Sequence, residues 1–260
     1  MSTRCDHASG GPAKQVRVAL GDPRWDDDAW GVKIDLLLAE PPPVVSFTFG
    51  CPPHEVTEAL RRAGSIVLAT VTCAREAAMA AEAGADGLCV QGPEVGAHRG
   101  SFTPILEPAA GRSLATILRE VAGATDLPRV AAGGITDASG VTAALRAGAV
   151  AARCGTAFLR CPESGANPLH KAALADHRFT STAVTRSFSG RPARGLVNEF
   201  MRSHPHAPAA YPEINNVTRP LRAAAVARGD LGRMSLWAGV GFRQAVDRPA
   251  AEVVEFLLPR

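Results

Sequence analysis

The segment VQGPEVGAHRG, residues 90–100, brings together residue types that can do chemistry. An apolar run, DGLCV, ends there in a glutamine, several glycines, a glutamate and His98, with no other histidine nearby. An imidazole can attract an anion when protonated or accept a proton when neutral, and both states are accessible near pH 7. An isolated histidine is more often a surface or core residue, but flanking Gln91 and Gly96 at a strand end favour a functional role. We therefore predict that His98 is functional, either in attracting an anion or in accepting a proton.

Glycines end two later apolar runs, AAGGI at residues 131–135 and CGTAFL at residues 154–159. Glycines at strand ends let backbone N–H groups close on an anion, and a following helix adds the positive end of its dipole. One such turn alone also fits a tight strand-to-helix connection, whereas two in succession favour a phosphate site. A GxGxxG fingerprint after the first strand is absent, which weakens the dinucleotide alternative. The predicted phosphate site consists of Gly133, Gly134, Gly155 and Thr156.

The elements that must position these residues follow a strand-then-helix rhythm. Such a rhythm predicts a parallel sheet, and its continuous apolar strands predict burial on both faces. A doubly wound sheet and a β/α barrel both satisfy the pattern, but glycines after the last two strands favour the barrel, where phosphate is commonly held. Strands are predicted at 44–50, 65–72, 86–92, 129–135 and 150–156, with helices at 52–64, 73–84, 113–125 and 137–148.

Composition narrows the class of protein. The 260 residues are 46% hydrophobic and carry a formal charge of +3 without basic clusters, so neither nucleic acid nor an anionic membrane surface is expected as a partner. No window is apolar enough to span a membrane and the N-terminus lacks an apolar signal core, which predicts a cytoplasmic protein. The six cysteines lie far apart and are expected to be reduced. His204 and His206 lack a third ligand, so no metal is predicted.

Several polar residues near strand ends are weaker candidates. Glu94 fits ordering of the loop and a solvent-facing position equally well. Ser46 and either Thr70 or Thr72 could line a pocket, but no single one of them is predicted to do so. Arg153 could pair with a phosphate, although an outward-facing arginine is the commoner case.

Four blocks of this sequence together resemble one family. VVSFTFGCP, ATVTCAREAAMAAEAGADGLCVQGPEVGAHRGSF, VAAGGITDASGVTAALRAGAVAARCGTAFLRCPES and FSGRPARGLVNEF look like nitronate monooxygenases, also called 2-nitropropane dioxygenases, which are flavin-dependent β/α barrel enzymes. The resemblance implies FMN as cofactor and oxidation of alkyl nitronates, of the propionate 3-nitronate type, by O2 to a carbonyl compound and nitrite. It also implies that Gln91 and Gly96 approach the flavin, that His98 is the active-site histidine, and that the phosphate is held by Gly133, Gly134, Gly155 and Thr156.

The resemblance also implies a division of the chain. A (β/α)8 barrel of the TIM type is expected to be incomplete here, with about five of eight strands, strands 4 to 8, in residues 16–160. A small cap is expected at 161–215, a C-terminal helical part at 216–260 that returns to the barrel, and a disordered tail at 1–15. The absence of the family's first strands predicts an N-terminally truncated member with impaired activity, from either a start codon called too late or a degraded gene.

Other interpretations remain open at this stage. A flavin-dependent reductase similar to enoyl reductases, using NAD(P)H, and a non-catalytic remnant are the alternatives to a nitronate monooxygenase. Within FSGRPARG, Arg191 and Arg194 could attract an anionic substrate, although a structural ion pair is the commoner fate of such residues. The oligomeric state is open, and a homo-oligomer is compatible with the sequence.

Overall fold

The computed structural model describes residues 18–103 and 112–259, and the tail expected at 1–15 lies outside the described residues. All five predicted strands are confirmed, each shorter than predicted. They form a parallel sheet in which every neighbouring pair is hydrogen bonded and the third strand in the chain lies at the centre. In spatial order the strands are β1 (Val44–Phe47), β2 (Ile66–Val71), β3 (Gly87–Gln91), β5 (Arg129–Ala132) and β6 (Ala151–Arg153).

The four predicted helices that follow strands are also confirmed. Two of these helices have an N-cap side chain. Ser113 accepts a hydrogen bond from the Thr116 N–H, and Asp137 accepts one from the Gly140 N–H at 2.8 Å. A further helix, α1 (Trp30–Ala39), precedes β1 and was not predicted. The four confirmed helices are α2 (His54–Arg62), α3 (Ala74–Glu82), α4 (Leu114–Ala122) and α5 (Ala138–Arg146).

The main core lies between the sheet and the helices on one of its faces. Leu88 and Val90 of β3 are fully buried there and belong to the same apolar cluster as Ile117, Leu118 and Val121 of α4. Burial of these side chains contributes about 1.5–3 kcal/mol each relative to exposure. The central strands are therefore anchored, and the loops that follow them start from fixed points.

The opposite face of the sheet is less covered at its β1 edge. Val44 and Ile66 pair with each other across β1 and β2 and are 48% and 51% exposed, whereas the next pair, Val45 and Val67, is buried. The prediction of burial on both faces is thus wrong for the edge strands β1 and β6 and for the first residue of β2, whereas the last three residues of β2 are buried on both faces. Alternate residues of a strand point to opposite faces, and no described element covers this end of the second face.

A second, antiparallel sheet connects the two parts of the chain. Its central strand, β8 (Ala193–Leu196), pairs with β7 (Thr182–Thr185) and with the short strand β4 (Ala97–His98). The loop after β3 is therefore held by backbone hydrogen bonds to the region expected as a cap. The remaining helices are α6 (Pro168–Ala175), α7 (Glu199–Ser203), α8 (Glu213–Arg228) and α9 (Ala250–Leu257), with 3-10 turns at Thr156–Phe158 and Phe242–Gln244.

Within 18–103 and 112–259, no helix has the length and apolar character needed to cross a membrane. The cytoplasmic location and the division into barrel, cap and C-terminal parts stay predictions.

Candidate active site

A cleft of about 360 Å³ opens beside the carboxyl ends of β5 and β6. We call it the glycine cleft, because six of its fifteen lining residues are glycines. Its size falls in the range of small-molecule sites. Gln91 and His98 do not line it. The lining residues used below are Gly96, Gly133, Gly134, Gly155, Thr156, Arg153, His170, Trp237 and Gly239.

The backbone of the glycine cleft requires glycine at specific positions. Gly134 has a φ of 69°, and a Cβ atom there would lie 2.9 Å from the Cβ of Glu94. A Cβ atom on Gly96 would lie 2.5 Å from the backbone nitrogen of Gly239. Gly155 differs, since an added Cβ would meet nothing within 4 Å and would project into free space. Two of these glycines therefore permit close backbone packing, and the third leaves the cleft open.

The end of β6 brings a hydroxyl and a cation to the same cleft. Thr156 Oγ1 accepts a hydrogen bond from the Gly239 N–H at 3.0 Å. The exposed Arg153 guanidinium has no carboxylate within 4 Å among the described residues, and its polar contact is Cys89 Sγ at 3.8 Å. The wall of the cleft thus carries backbone groups and one cation whose charge is available to a ligand.

Gln91 lies at the end of β3 and is 8% exposed. Its Nε2 donates to the His98 carbonyl at 3.2 Å, and its Oε1 accepts from the Gly100 N–H at 2.8 Å. The side chain amide therefore holds the loop that carries His98. That Gln91 approaches a flavin stays a prediction.

His98 lies in a cluster of aromatic rings. Its ring centroid is 5.9 Å from those of Phe49 and Tyr211 and 5.7 Å from that of Trp237, which also lines the glycine cleft. His98 Nε2 is 2.8 Å from Ser189 Oγ. We call these residues the histidine cluster: His98, Phe49, Ser189, Tyr211 and Trp237.

The histidine cluster keeps the imidazole uncharged. Burial, together with the positive charges of Arg191 and Arg222, lowers the pKa of His98 from 6.5 to about 4. Near pH 7 the ring is therefore neutral, which suits acceptance of a proton rather than attraction of an anion by an imidazolium. The arginines provide a positive field in its place.

Arg191 and Arg194 hold the chain segments on the two sides of β4. Arg191 donates to the carbonyls of Arg99 and Ser101, and its guanidinium stacks on the Phe49 ring at 3.9 Å. Arg194 Nη2 donates to the Pro93 carbonyl at 2.9 Å. Neither arginine has an ion-pair partner among the described residues. The prediction of a structural ion pair is therefore wrong. Backbone carbonyls satisfy these guanidinium groups instead.

Glu94 orders the loop that it belongs to. Its Oε1 accepts from the Leu114 N–H at 3.2 Å, and its buried Oε2 has no hydrogen-bond partner among the described residues. Of the two sequence interpretations, the solvent-facing one is wrong.

None of the three hydroxyl residues proposed as pocket residues lines the glycine cleft. Ser46 is exposed, Thr70 Oγ1 is 3.1 Å from Thr48 Oγ1, and Thr72 donates to Glu76 at 2.8 Å. The Thr70 side chain thus contacts the residue that follows β1, and the Thr72 side chain contacts the first turn of α3.

No group of three or more histidine, cysteine, aspartate or glutamate residues that could hold a metal occurs within the described ranges. His204 Nδ1 lies 2.9 Å from the Phe200 carbonyl.

Sequence reasoning missed four residues of this site: His170, Ser189, Trp237 and Gly239. His170 Nε2 donates to the Trp237 carbonyl at 3.0 Å, and burial lowers the pKa of His170. Trp237 lies between the two parts of the site, since it lines the cleft and contacts His98. The AGVG run at 238–241 was a sequence signal for Gly239, since closely spaced glycines permit close backbone packing.

The fold and site together define an α/β protein with a parallel sheet and a glycine-lined cleft at the strand ends. A family model described as nitronate monooxygenase matches residues 4–260. A nitronate monooxygenase of Pseudomonas aeruginosa is 44% identical over 229 residues, which cover 86% of this chain and 65% of that protein. A probable nitronate monooxygenase of Bacillus subtilis is 38% identical, with 86% and 64% covered. The chain belongs to the nitronate monooxygenase family, and it spans less than two thirds of the length of these relatives.

Solved structures agree with this assignment. The nitroalkane oxidase from Streptomyces ansochromogenes is 49% identical and superposes with a TM-score of 0.88, covering 92% of this chain and 70% of that one. FabK from Thermotoga maritima is 28% identical with a TM-score of 0.72, covering 88% and 71%. The resemblance that the sequence blocks indicated is confirmed.

Proposed function

We propose that the protein containing this chain oxidises alkyl nitronates, of the propionate 3-nitronate type, with O2 to a carbonyl compound and nitrite, using FMN. The observation that carries this proposal is the glycine cleft beside the histidine cluster, in a chain of the nitronate monooxygenase family. The structural similarity to the nitroalkane oxidase from Streptomyces ansochromogenes supports the same class of substrate.

The residues of the glycine cleft fit FMN. Neither aspartate nor glutamate lines the cleft, Gly155 leaves space where a Cβ would project, and Arg153 provides a cation. A phosphate monoester requires N–H donors and positive charge, which these residues provide. We propose that Gly133, Gly134, Gly155 and Thr156 hold the phosphate and that Gly96 and Gln91 lie near the ring system. The flavin, when bound, supplies the electron-transfer chemistry that amino-acid side chains lack.

His98 acts as the base in this proposal. The pKa of about 4 keeps the imidazole neutral near pH 7, so a ring nitrogen has a lone pair available for a proton from a nitroalkane. Arg191 and Arg222 lie close enough to lower that pKa, and the same positive charges favour the anionic nitronate that results. The aromatic rings of Phe49, Tyr211 and Trp237 lie around the histidine and reduce its contact with water.

We further propose that the five-stranded parallel sheet is part of a (β/α)8 barrel, in which it provides strands 4 to 8. The exposed Val44 and Ile66 support this, because additional strands would cover the face on which they lie. The similarity to the nitroalkane oxidase, of whose chain 70% is covered, is consistent with this arrangement.

Spectroscopy and oxygen uptake on the purified protein test the function. We expect a flavin absorption band, release of FMN on denaturation, and O2 consumption with nitrite release when propionate 3-nitronate is added. NADH oxidation in the absence of a nitronate would overturn the proposal in favour of a reductase. A protein that takes up no FMN on reconstitution would overturn it in favour of a non-catalytic remnant.

A further inference from the structure

A buried serine lies directly against the candidate base. Ser189, in the segment before β8, is 2% exposed, and its Oγ is 2.8 Å from His98 Nε2. The same Oγ is 3.2 Å from the Arg191 carbonyl and 3.4 Å from the Arg191 backbone nitrogen. Ser189 is therefore placed to determine which ring nitrogen of His98 carries the proton.

Counting protons distinguishes the two neutral tautomers. A hydroxyl has one proton to donate, the Arg191 carbonyl can only accept, and the Arg191 N–H can only donate. If Ser189 donates to the carbonyl, His98 Nε2 must donate to Oγ, and all these groups are satisfied. If Ser189 donates to Nε2 instead, the buried Arg191 carbonyl has no donor among the described residues, which is unfavourable.

We propose that Ser189 is a positioning residue that holds His98 as the Nε2–H tautomer and leaves the basic lone pair on Nδ1. The charged and titratable groups that face the ring are Arg191 beside Ser189, Arg222 on α8 and Tyr211 just before α8. Phe49 and Trp237 complete the surroundings and carry no charge. Both arginines disfavour a second proton, so Nδ1 is free at neutral pH.

The tautomer explains how one hydrogen bond can serve both states of the base. During proton removal the C–H bond of a nitroalkane breaks, its electron pair stays on the substrate as the nitronate, and the proton goes to Nδ1. Nε2–H continues to donate to Ser189 Oγ before and after the transfer, so no hydrogen bond is rearranged. The assignment of the tautomer depends only on the hydrogen bonds around Ser189. Its use in catalysis rests on the proposed function.

Nitrogen-15 NMR of histidine side chains tests the tautomer without any activity. We expect the His98 signals, assigned by their loss in His98→Gln, to show an unprotonated Nδ1 and a protonated Nε2 near pH 7. Ser189→Ala should move both nitrogens towards averaged tautomer shifts. Ser187→Ala is the matched control: this serine is also buried, at 4% exposed, but the hydrogen-bond partner of its Oγ is Thr185 Oγ1, at 2.8 Å, and not His98. A protonated Nδ1 in the unsubstituted protein would overturn the proposal.

Kinetics then test the positioning role. Ser189→Ala should lower kcat/KM for nitroethane about tenfold, because a base in the wrong tautomer is inactive, and leave the rate with preformed ethyl nitronate almost unchanged. Ser187→Ala should change neither. Equal losses with both substrates, or oxidation of the nitronate alone by the unsubstituted protein, would overturn the role. If neither substrate is oxidised, the proposed function fails, while the NMR result still decides the tautomer.

Discussion

The glycine cleft and the histidine cluster lie side by side but are specified in different ways. The cleft is a property of the backbone, because Gly134 requires a positive φ and Gly96 allows close approach of Gly239. The cluster is a property of side chains, because His98 depends on Ser189, Tyr211 and Trp237 from later segments. This difference implies that substitutions should separate ligand binding from proton transfer.

The largest separation is expected from Gly134→Val. A β-branched residue at a φ of 69°, with its Cβ 2.9 Å from Glu94, must displace the loop that forms the cleft. We expect FMN binding to weaken more than about 100-fold and the free energy of unfolding to fall by about 1–3 kcal/mol. Fluorescence titration and urea unfolding measure the two effects.

Gly155→Ala is the informative control for Gly134→Val. Its added Cβ meets nothing within 4 Å, so stability should be unchanged while FMN binding weakens. Gly165→Ala, also without neighbours within 4 Å and outside the cleft, should change neither. FMN binding of unaltered strength in Gly134→Val would show that the cleft is not the flavin site.

His98→Gln should have the opposite pattern. Loss of the base is expected to lower kcat/KM with nitroethane about 100-fold. FMN affinity should change less than about twofold, because His98 does not line the glycine cleft. Steady-state kinetics and flavin titration of the same preparation measure both quantities. A parallel loss of both would mean that the two parts of the site act as one.

The two parts of the site also differed in how well the sequence predicted them. The strand-end glycines could be identified because each follows its own apolar run, and the five strands and four helices carry local patterns. Ser189 is 91 residues from His98, and no local pattern reports such a contact. The short strand β4 and its pairing with β8 were missed for the same reason. An ion pair was wrongly predicted for Arg191 and Arg194, because the sequence shows their charge but not the backbone carbonyl groups that accept their hydrogen bonds.

Stability should depend on pH through His98. Its pKa of about 4 in the folded protein lies below the value of 6.5 expected when exposed, so between these values the unfolded chain binds the additional proton. The contribution of His98 is therefore fully present above pH 6.5 and is lost as the pH falls towards 4. The loss is expected to reach about 3 kcal/mol.

Urea unfolding of the protein and of His98→Gln across this pH range measures the His98 contribution. Burial also lowers the pKa of His170, which adds a loss of the same sign to both proteins. The difference between the two curves of unfolding free energy against pH is therefore the contribution of His98. Parallel curves would contradict a neutral, buried His98.

The smallest effect is expected from Arg153→Gln, which changes a side chain of the cleft without altering its backbone. Because the guanidinium is exposed, water and salt screen its attraction to a phosphate. Its loss should therefore weaken FMN binding only about threefold. Riboflavin, which lacks the phosphate, should bind equally to both proteins, and Arg153→Lys should keep most of the affinity for FMN because it keeps the charge. Added salt should remove the difference for FMN. An equal loss for riboflavin would mean that Arg153 acts through packing, and the glycine cleft would then depend on side chains as the histidine cluster does.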